Sequence, residues 1–393
     1  MRRYTLDEER RLRLQSAVID WTRSGLLDDA QKIGLLADLS VDLNRTGRML
    51  RAGIALFTAV VASATVSLVF IQFSPQREWT MALFAALTAV GLAAAADFFV
   101  ARLRVYRYGV EEMLAAGAAG ALAASAALAV AAILGDSHVK TIIVAALLAG
   151  AAGAIAAYVR FGFRYASVAA LVLVALVPFV PPMPPPARHA LAWLACVLTF
   201  LWAGARRRRY GDDVPGDEAA SLEAWAFVGA YLCANLYILP AAFGIYGSTV
   251  VARWFTWSTY GGIWLMPLAG LWLALRARLR HLLDAALVTL VATLVTNKLY
   301  LGWPAHPWDP ILLGLILMGA ALATRRWLAA GPDGSRRGVT GVRLVESDAE
   351  AVRLVSLASA GLQPPSAAPS ASEPSPSAFA GGRSGGGGAG ADF

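Results

Sequence analysis

The sequence predicts an all-α fold: a polytopic membrane bundle of about ten transmembrane helices, with a small helical hairpin before it and a disordered tail after it. Three observations predict it. Of 393 residues, 58% are hydrophobic and only 15% charged, whereas soluble domains carry about 25% charged residues. The apolar residues form long runs separated by short connectors. Arginine gathers at every second connector, which assigns those connectors to one side of a membrane.

Residues 1–48 are polar with helical periodicity. Asp7, Glu8 and Glu9 open a first helix, because carboxylates complement the unpaired N–H groups of a helix start. Leu12, Val18, Ile19 and Trp21 give it an apolar side, and Thr22 to Gly25 break it. Asp28 and Asp29 begin a second helix through Ile33, Leu36, Leu39 and Leu43. The expectation is a cytoplasmic helical hairpin that caps the membrane domain. Contact with a protein partner and amphipathic adsorption to lipid are its alternative roles.

Ten spans are expected, at 50–71, 79–100, 114–134, 141–158, 165–180, 189–205, 224–245, 257–275, 283–301 and 309–324. The fourth, fifth, sixth and tenth are shorter than the roughly 20 residues a crossing usually takes. Pro178 ends the fifth, yet without that span the arginine alternation would fail. The inner set runs from Arg45, Arg48 and Arg51 to Arg325 and Arg326 and holds seventeen arginines; the outer set holds five lysines and arginines. That asymmetry places both termini inside. Residues 206–223, with Asp212, Asp213, Asp217 and Glu218, read as an inner linker between six spans in 49–205 and four in 224–326. No internal repeat supports an inverted-repeat transporter. In 327–393 one short element is expected around Val339 to Leu357. From Gln363 onward the Pro, Ser, Ala and Gly composition cannot bury enough apolar surface to order.

The bounding features exclude several classes. The net charge of +8 sits between apolar spans, so membrane topology accounts for it and nucleic acid is not an expected partner. The lipid bilayer is. MRRYTLDEERRLRLQ has no apolar core of a signal peptide, so none is expected to be cleaved. Cys196 and Cys233 lie in apolar spans and form no metal pair. His138, His189, His281 and His306 lack metal-ligand spacing, and phosphate loops, dinucleotide fingerprints and nucleophile elbows are missing from the sequence. No cofactor, metal or catalytic residue is assigned.

Small residues point to close packing of the second, third and fourth spans, through Gly91, Gly117, Gly120, Ser125, Gly150 and Gly153. Trp79, Trp254, Trp257, Trp303 and Trp308 sit where outer interfacial anchors belong. The intramembrane polar residues are few. Asp97 lies near the inner end of the second span, to snorkel or pair with Arg102 or Arg104, or else to serve an ion. Asn235, flanked by Tyr231 and Tyr237, reads as mid-span in the seventh and needs a partner inside the bundle, as glue or as part of a polar pocket. The ninth span carries Asp284, Thr289, Thr293, Thr296, Asn297 and Lys298, with Thr289, Thr293, Thr296 and Lys298 roughly on one side. Lys298 is expected to meet Asp309 across the Gly302-Trp-Pro304 turn.

The stretch from Trp21 to Lys32, with Gly25, Leu26 and Gln31 in a Gly-Leu/Ile-x-x-x-x-Gln pattern, resembles a group of bacterial multi-pass membrane proteins. Those proteins place a short cytoplasmic helical segment before many membrane helices. The resemblance spans roughly residues 15–70 and implies architecture only, with no activity attached. The function expected is therefore that of an inner-membrane protein of structural, envelope-associated or regulatory character. A small-solute transporter or channel using the seventh and ninth spans is the alternative, and an intramembrane enzyme the third reading.

Overall fold

The computed structural model describes residues 3–211, 213–238, 252–277, 279–304, 306–331, 335–336 and 339–340. Two polar helices come first, α1 (Leu6–Arg23) and α2 (Asp29–Asp38). Then follow α3 (Arg48–Phe73), α4 (Glu78–Leu103), α5 (Val110–Leu134), α6 (Val139–Phe161) and α7 (Arg164–Leu176). The remaining helices are α8 (Pro185–Tyr210), α9 (Val214–Ala234), α10 (Arg253–Ala277), α11 (Arg280–Leu301) and α12 (Asp309–Ala329). A two-residue antiparallel pairing of Ser335 and Arg336 with Thr340 and Val339 closes the described chain. The short element expected around Val339 to Leu357 and the Pro/Ser/Gly tail otherwise lie outside the described residues.

Among the described residues eight helices are long and apolar enough to cross a membrane: α3 to α6, α8 and α10 to α12. The other two expected spans fall on α7 and α9. α7 has 13 residues and continues as a 3-10 turn through Phe179. α9 carries Asp217, Glu218 and Glu223 within its first half.

Two sequence boundaries need correction. Residues 206–223 are not a linker: α8 runs through Tyr210 and α9 begins at Val214. Gly211, at φ +57°, ends α8, and the Asp213 carboxylate caps α9 by accepting from the Val214 N–H at 2.8 Å. Hydropathy mistakes a charged first helical turn for a loop, because both are polar. The helix expected as the seventh span likewise starts earlier than expected, and it ends at Ala234, so Asn235 is a helix cap and not a mid-helix residue. Residues 239–251 lie outside the described set.

Local chemistry explains the first two helices. Thr5 and Glu8 form a reciprocal capping box on α1, and Asp28 and Gln31 form one on α2. Gly25 takes φ +74° between them. Gly25 and Gln31, two of the three signature positions, thus hold a turn and a cap.

Four of the arginine-rich connectors converge at one end of the bundle, and α1 lies across three of them. The Arg3 N–H donates to the Arg160 carbonyl at 2.9 Å, and the Tyr4 hydroxyl to the Val105 carbonyl at 2.9 Å. Arg104 pairs with Glu8 at 2.6 Å, Arg10 with Asp213 at 2.6 Å, and Arg13 with Asp217 at 3.2 Å. The fourth connector joins the same end because Glu223 of α9 meets both Arg207 of α8 (2.7 Å) and His281 of α11 (3.1 Å). Arg160 and Asp213 therefore sit at one end although a helix of 26 residues, about 39 Å long, lies between them. α7 must run away from that end and α8 back to it, and Phe179 packs edge-on to His189 near the start of α8 at 5.1 Å.

Small residues set the packing of α4, α5 and α6. A Cβ on Gly153 would lie 2.9 Å from the Ala119 backbone, and one on Gly150 would lie 3.4 Å from the Ala123 methyl. Ser125 of α5 donates to the Ala82 carbonyl of α4 at 2.9 Å. Gly91 and Gly120 have open space beside them, so they do not mediate close approach. At the connector end, Gly109 has φ +106° and its missing Cβ would sit 2.5 Å from the Arg51 carbonyl of α3.

Two outcomes follow. Gly109→Ala should destabilise the protein by about 2 kcal/mol or more, through both strain and collision, measured by unfolding in mixed micelles. Arg10 and the Val214 N–H hold the Asp213 carboxyl down at about 2, against an ordinary 3.8. A depressed carboxyl stabilises fully above its unfolded value and ceases to as pH falls through its folded value. A spin-label distance between α1 and α9 should therefore lengthen as pH drops from about 4 to about 2, and should already be longer at pH 5 in Asp213→Asn.

Candidate functional site

The densest polar grouping inside the bundle lies where α9, α10 and α11 meet. Asn235 and Thr293 are completely buried, and Tyr231, Thr289 and Thr296 nearly so. The end of α9 delivers Tyr231 and Asn235 one turn apart, and α11 presents Thr289, Thr293 and Thr296 on the facing side.

Asn235 Nδ2 donates to the Tyr231 hydroxyl (3.1 Å), which pairs with Thr293 Oγ1 (2.9 Å), which donates to the Ile263 carbonyl of α10 (2.7 Å). The second Nδ2 proton goes to Thr296 Oγ1 (3.0 Å), and Thr296 donates back to the Ala292 carbonyl (2.9 Å). Asn235 Oδ1 accepts from the N–H groups of Tyr237 and Ile238, at 3.0 and 3.2 Å. Tyr300 continues the network by accepting the Leu236 N–H at 2.8 Å, with Tyr237 edge-on to its ring at 4.7 Å. Both amide protons and the carbonyl of Asn235 are thus used. Such a network ties three helices together; it contains no carboxylate, thiol or imidazole to carry a proton.

The other sequence-selected residues separate from this cluster. Asn297 accepts from the Tyr260 hydroxyl of α10 at 2.9 Å, a second link between α10 and α11. Lys298 meets Asp309 at 2.5 Å, as the turn between them suggested, and stands over the Trp308 ring. Thr289 bonds its own helix at the Ala286 carbonyl. Asp97 is remote, at the connector end. Its partners are not Arg102 or Arg104 but Arg160 of α6 (2.8 Å) and Arg3. Sequence neighbours point along the same helix, whereas the carboxylate faces α6.

Several charged residues escaped selection. Glu223 is buried between Arg207 and His281, and Glu112 is buried against Arg51. Glu111 is fully buried; one oxygen accepts from the Tyr108 N–H at 2.8 Å, and the other has no partner among the described residues. Their signal was carboxylates at the arginine-rich ends, which hydropathy assigns to solvent-exposed connectors. His189 is buried with Nδ1 2.5 Å from the Cys233 carbonyl, in a helix-bridging position. Among the described residues no three His, Cys, Asp or Glu side chains gather as metal ligands.

Asn235→Ala would strand the half-buried Tyr237 and Ile238 N–H groups and should lower stability by about 1–3 kcal/mol. Thr293→Val, which removes one link while preserving shape, should cost about 1 kcal/mol. Equilibrium unfolding in mixed micelles checks both, and equal stability of Asn235→Ala and wild type would refute the bonding pattern. Comparison of the chain with protein-family models, with curated proteins and with solved structures finds no match.

Proposed function

We propose that this chain is a bacterial inner-membrane protein of ten spans, with both termini cytoplasmic and a structural, envelope-associated or regulatory role. The observation that carries the reading is the saturation of the α9–α10–α11 cluster. A solute path needs polar groups with unused hydrogen-bonding capacity, and Asn235 has spent all of its own on the protein. The arginine asymmetry supports the orientation, since the convergent connectors are the arginine-rich set. α1 and α2 support the regulatory side: Leu14 (46% exposed) and Ile33 (69% exposed) leave an apolar surface on the cap that a protein partner could cover.

Proteoliposomes should show no protein-dependent flux of a broad panel of ions, sugars and amino acids. Flux carried by wild type and abolished by Asn235→Ala with Thr293→Val would replace this reading with a transporter. Single cysteines at positions 184 and 212 should label from opposite sides of the membrane, with 212 inside. Labelling from the same side would break the ten-span arrangement.

A further inference from the structure

At the connector end, four segments and the first turn of α9 line a half-open cavity of about 270 Å³. α1 contributes Glu9 and Arg13, the segment after α2 contributes Arg45, the α4–α5 connector Arg107, the start of α7 Arg164, and α9 Asp217. Four guanidinium groups against two carboxylates leave an excess of two positive charges around one small space. The arginines are far apart in sequence, so the fold, not a local basic run, assembles them.

Their existing bonds leave capacity. Arg13 holds Asp217 at 3.2 Å, which neutralises one of the two carboxylates, and Arg45 gives one amino group to Gln15 at 2.7 Å. Arg107 lies over the Tyr106 ring at 5.3 Å on backbone at φ +50°, a conformation costly for a side-chain-bearing residue. Arg164 Nε is buried and has no hydrogen-bond partner among the described residues. A guanidinium carries five donors, and an N–H shut away from water without an acceptor is costly. An acceptor for Arg164 Nε that filled this cavity would be small, anionic and within reach of several arginines.

We propose that this cavity is a binding site for a phosphate group. Phosphate oxygens take paired, charge-assisted bonds from arginine, and an anionic phosphate group answers the excess positive charge. The volume falls below that of pockets for drug-sized ligands, so the occupant is a compact phosphate or the headgroup of an anionic lipid. An occupant there would bridge α1, the α4–α5 connector, α7 and α9, and so would tighten the cap on the bundle.

The test uses the full chain purified in an uncharged detergent. Pyrophosphate and inorganic phosphate are titrated by calorimetry for the soluble source. Native mass spectrometry with phosphatidylglycerol against phosphatidylcholine reads the lipid source. At least one of these anions should bind, weaken with added salt, and lose about tenfold in affinity in Arg107→Gln with Arg164→Gln. Arg209→Gln, outside the cavity, should leave binding unchanged. Asp217→Asn, which removes a negative charge, should tighten it, an outcome that misfolding cannot imitate. Saturable binding of pyrophosphate alone assigns a soluble ligand, and of phosphatidylglycerol alone a lipid. Absence of binding by all anions, or binding unmoved by both the double variant and Asp217→Asn, overturns the proposal.

Discussion

Inside a hydrocarbon layer no water answers a polar group, so every such group must be answered by the protein. The arrangement of this chain follows from that constraint. At the end of α9 the helix stops, which leaves main-chain N–H groups of the following residues inside the packed bundle in need of acceptors. Asn235 supplies one with its carbonyl and passes its two amide protons to Tyr231 and Thr296, so that the break in one helix becomes the joint between three. Charges obey the same rule by location: Asp97, Glu112 and Glu223 each meet an arginine at the connector end.

The cap shows which contacts hold the connectors together. Its ion pairs are numerous, but Arg10–Asp213 and Arg13–Asp217 are partly exposed, and such pairs contribute about 0–1 kcal/mol each. Tyr4 is a stronger anchor. It is 2% exposed, packs edge-on to Tyr106 at 4.8 Å, and joins a cluster with Val105, Phe161 and Phe163. Burial of an aromatic ring of this size contributes about 2–3 kcal/mol. The buried ring therefore fixes the cap, and the surrounding charges set its register.

Much of the fold could be read from composition because the membrane imposes length and apolarity on each span. The arginine alternation located connectors that the structure brings to one end, and the acidic helix starts at Asp7 and Asp28 marked α1 and α2 closely. What stayed hidden was pairing between distant segments. Asp97 has arginines near it in sequence, yet its partners are 63 and 94 residues away. Glu223 looked like part of a loop because a charged helical turn and a loop have the same hydropathy. The polar cluster was half visible: Asn235 and the threonines of α11 were evident as intramembrane polar residues, but the helix end that gives Asn235 its role was not.

The placement of α1 also constrains how the protein is made. Arg10 meets Asp213, a separation of 203 residues, and Arg3 meets Arg160 across most of the same interval. At roughly 5–20 residues per second, synthesis of the intervening chain takes on the order of 10–40 s. During that time α1 has no finished surface on which to settle. Its buried tyrosine and carboxylates must wait in water while six helices, α3 to α8, are made. Docking of α1 is thus a late event in assembly, and it reports that the helices up to α8 have closed.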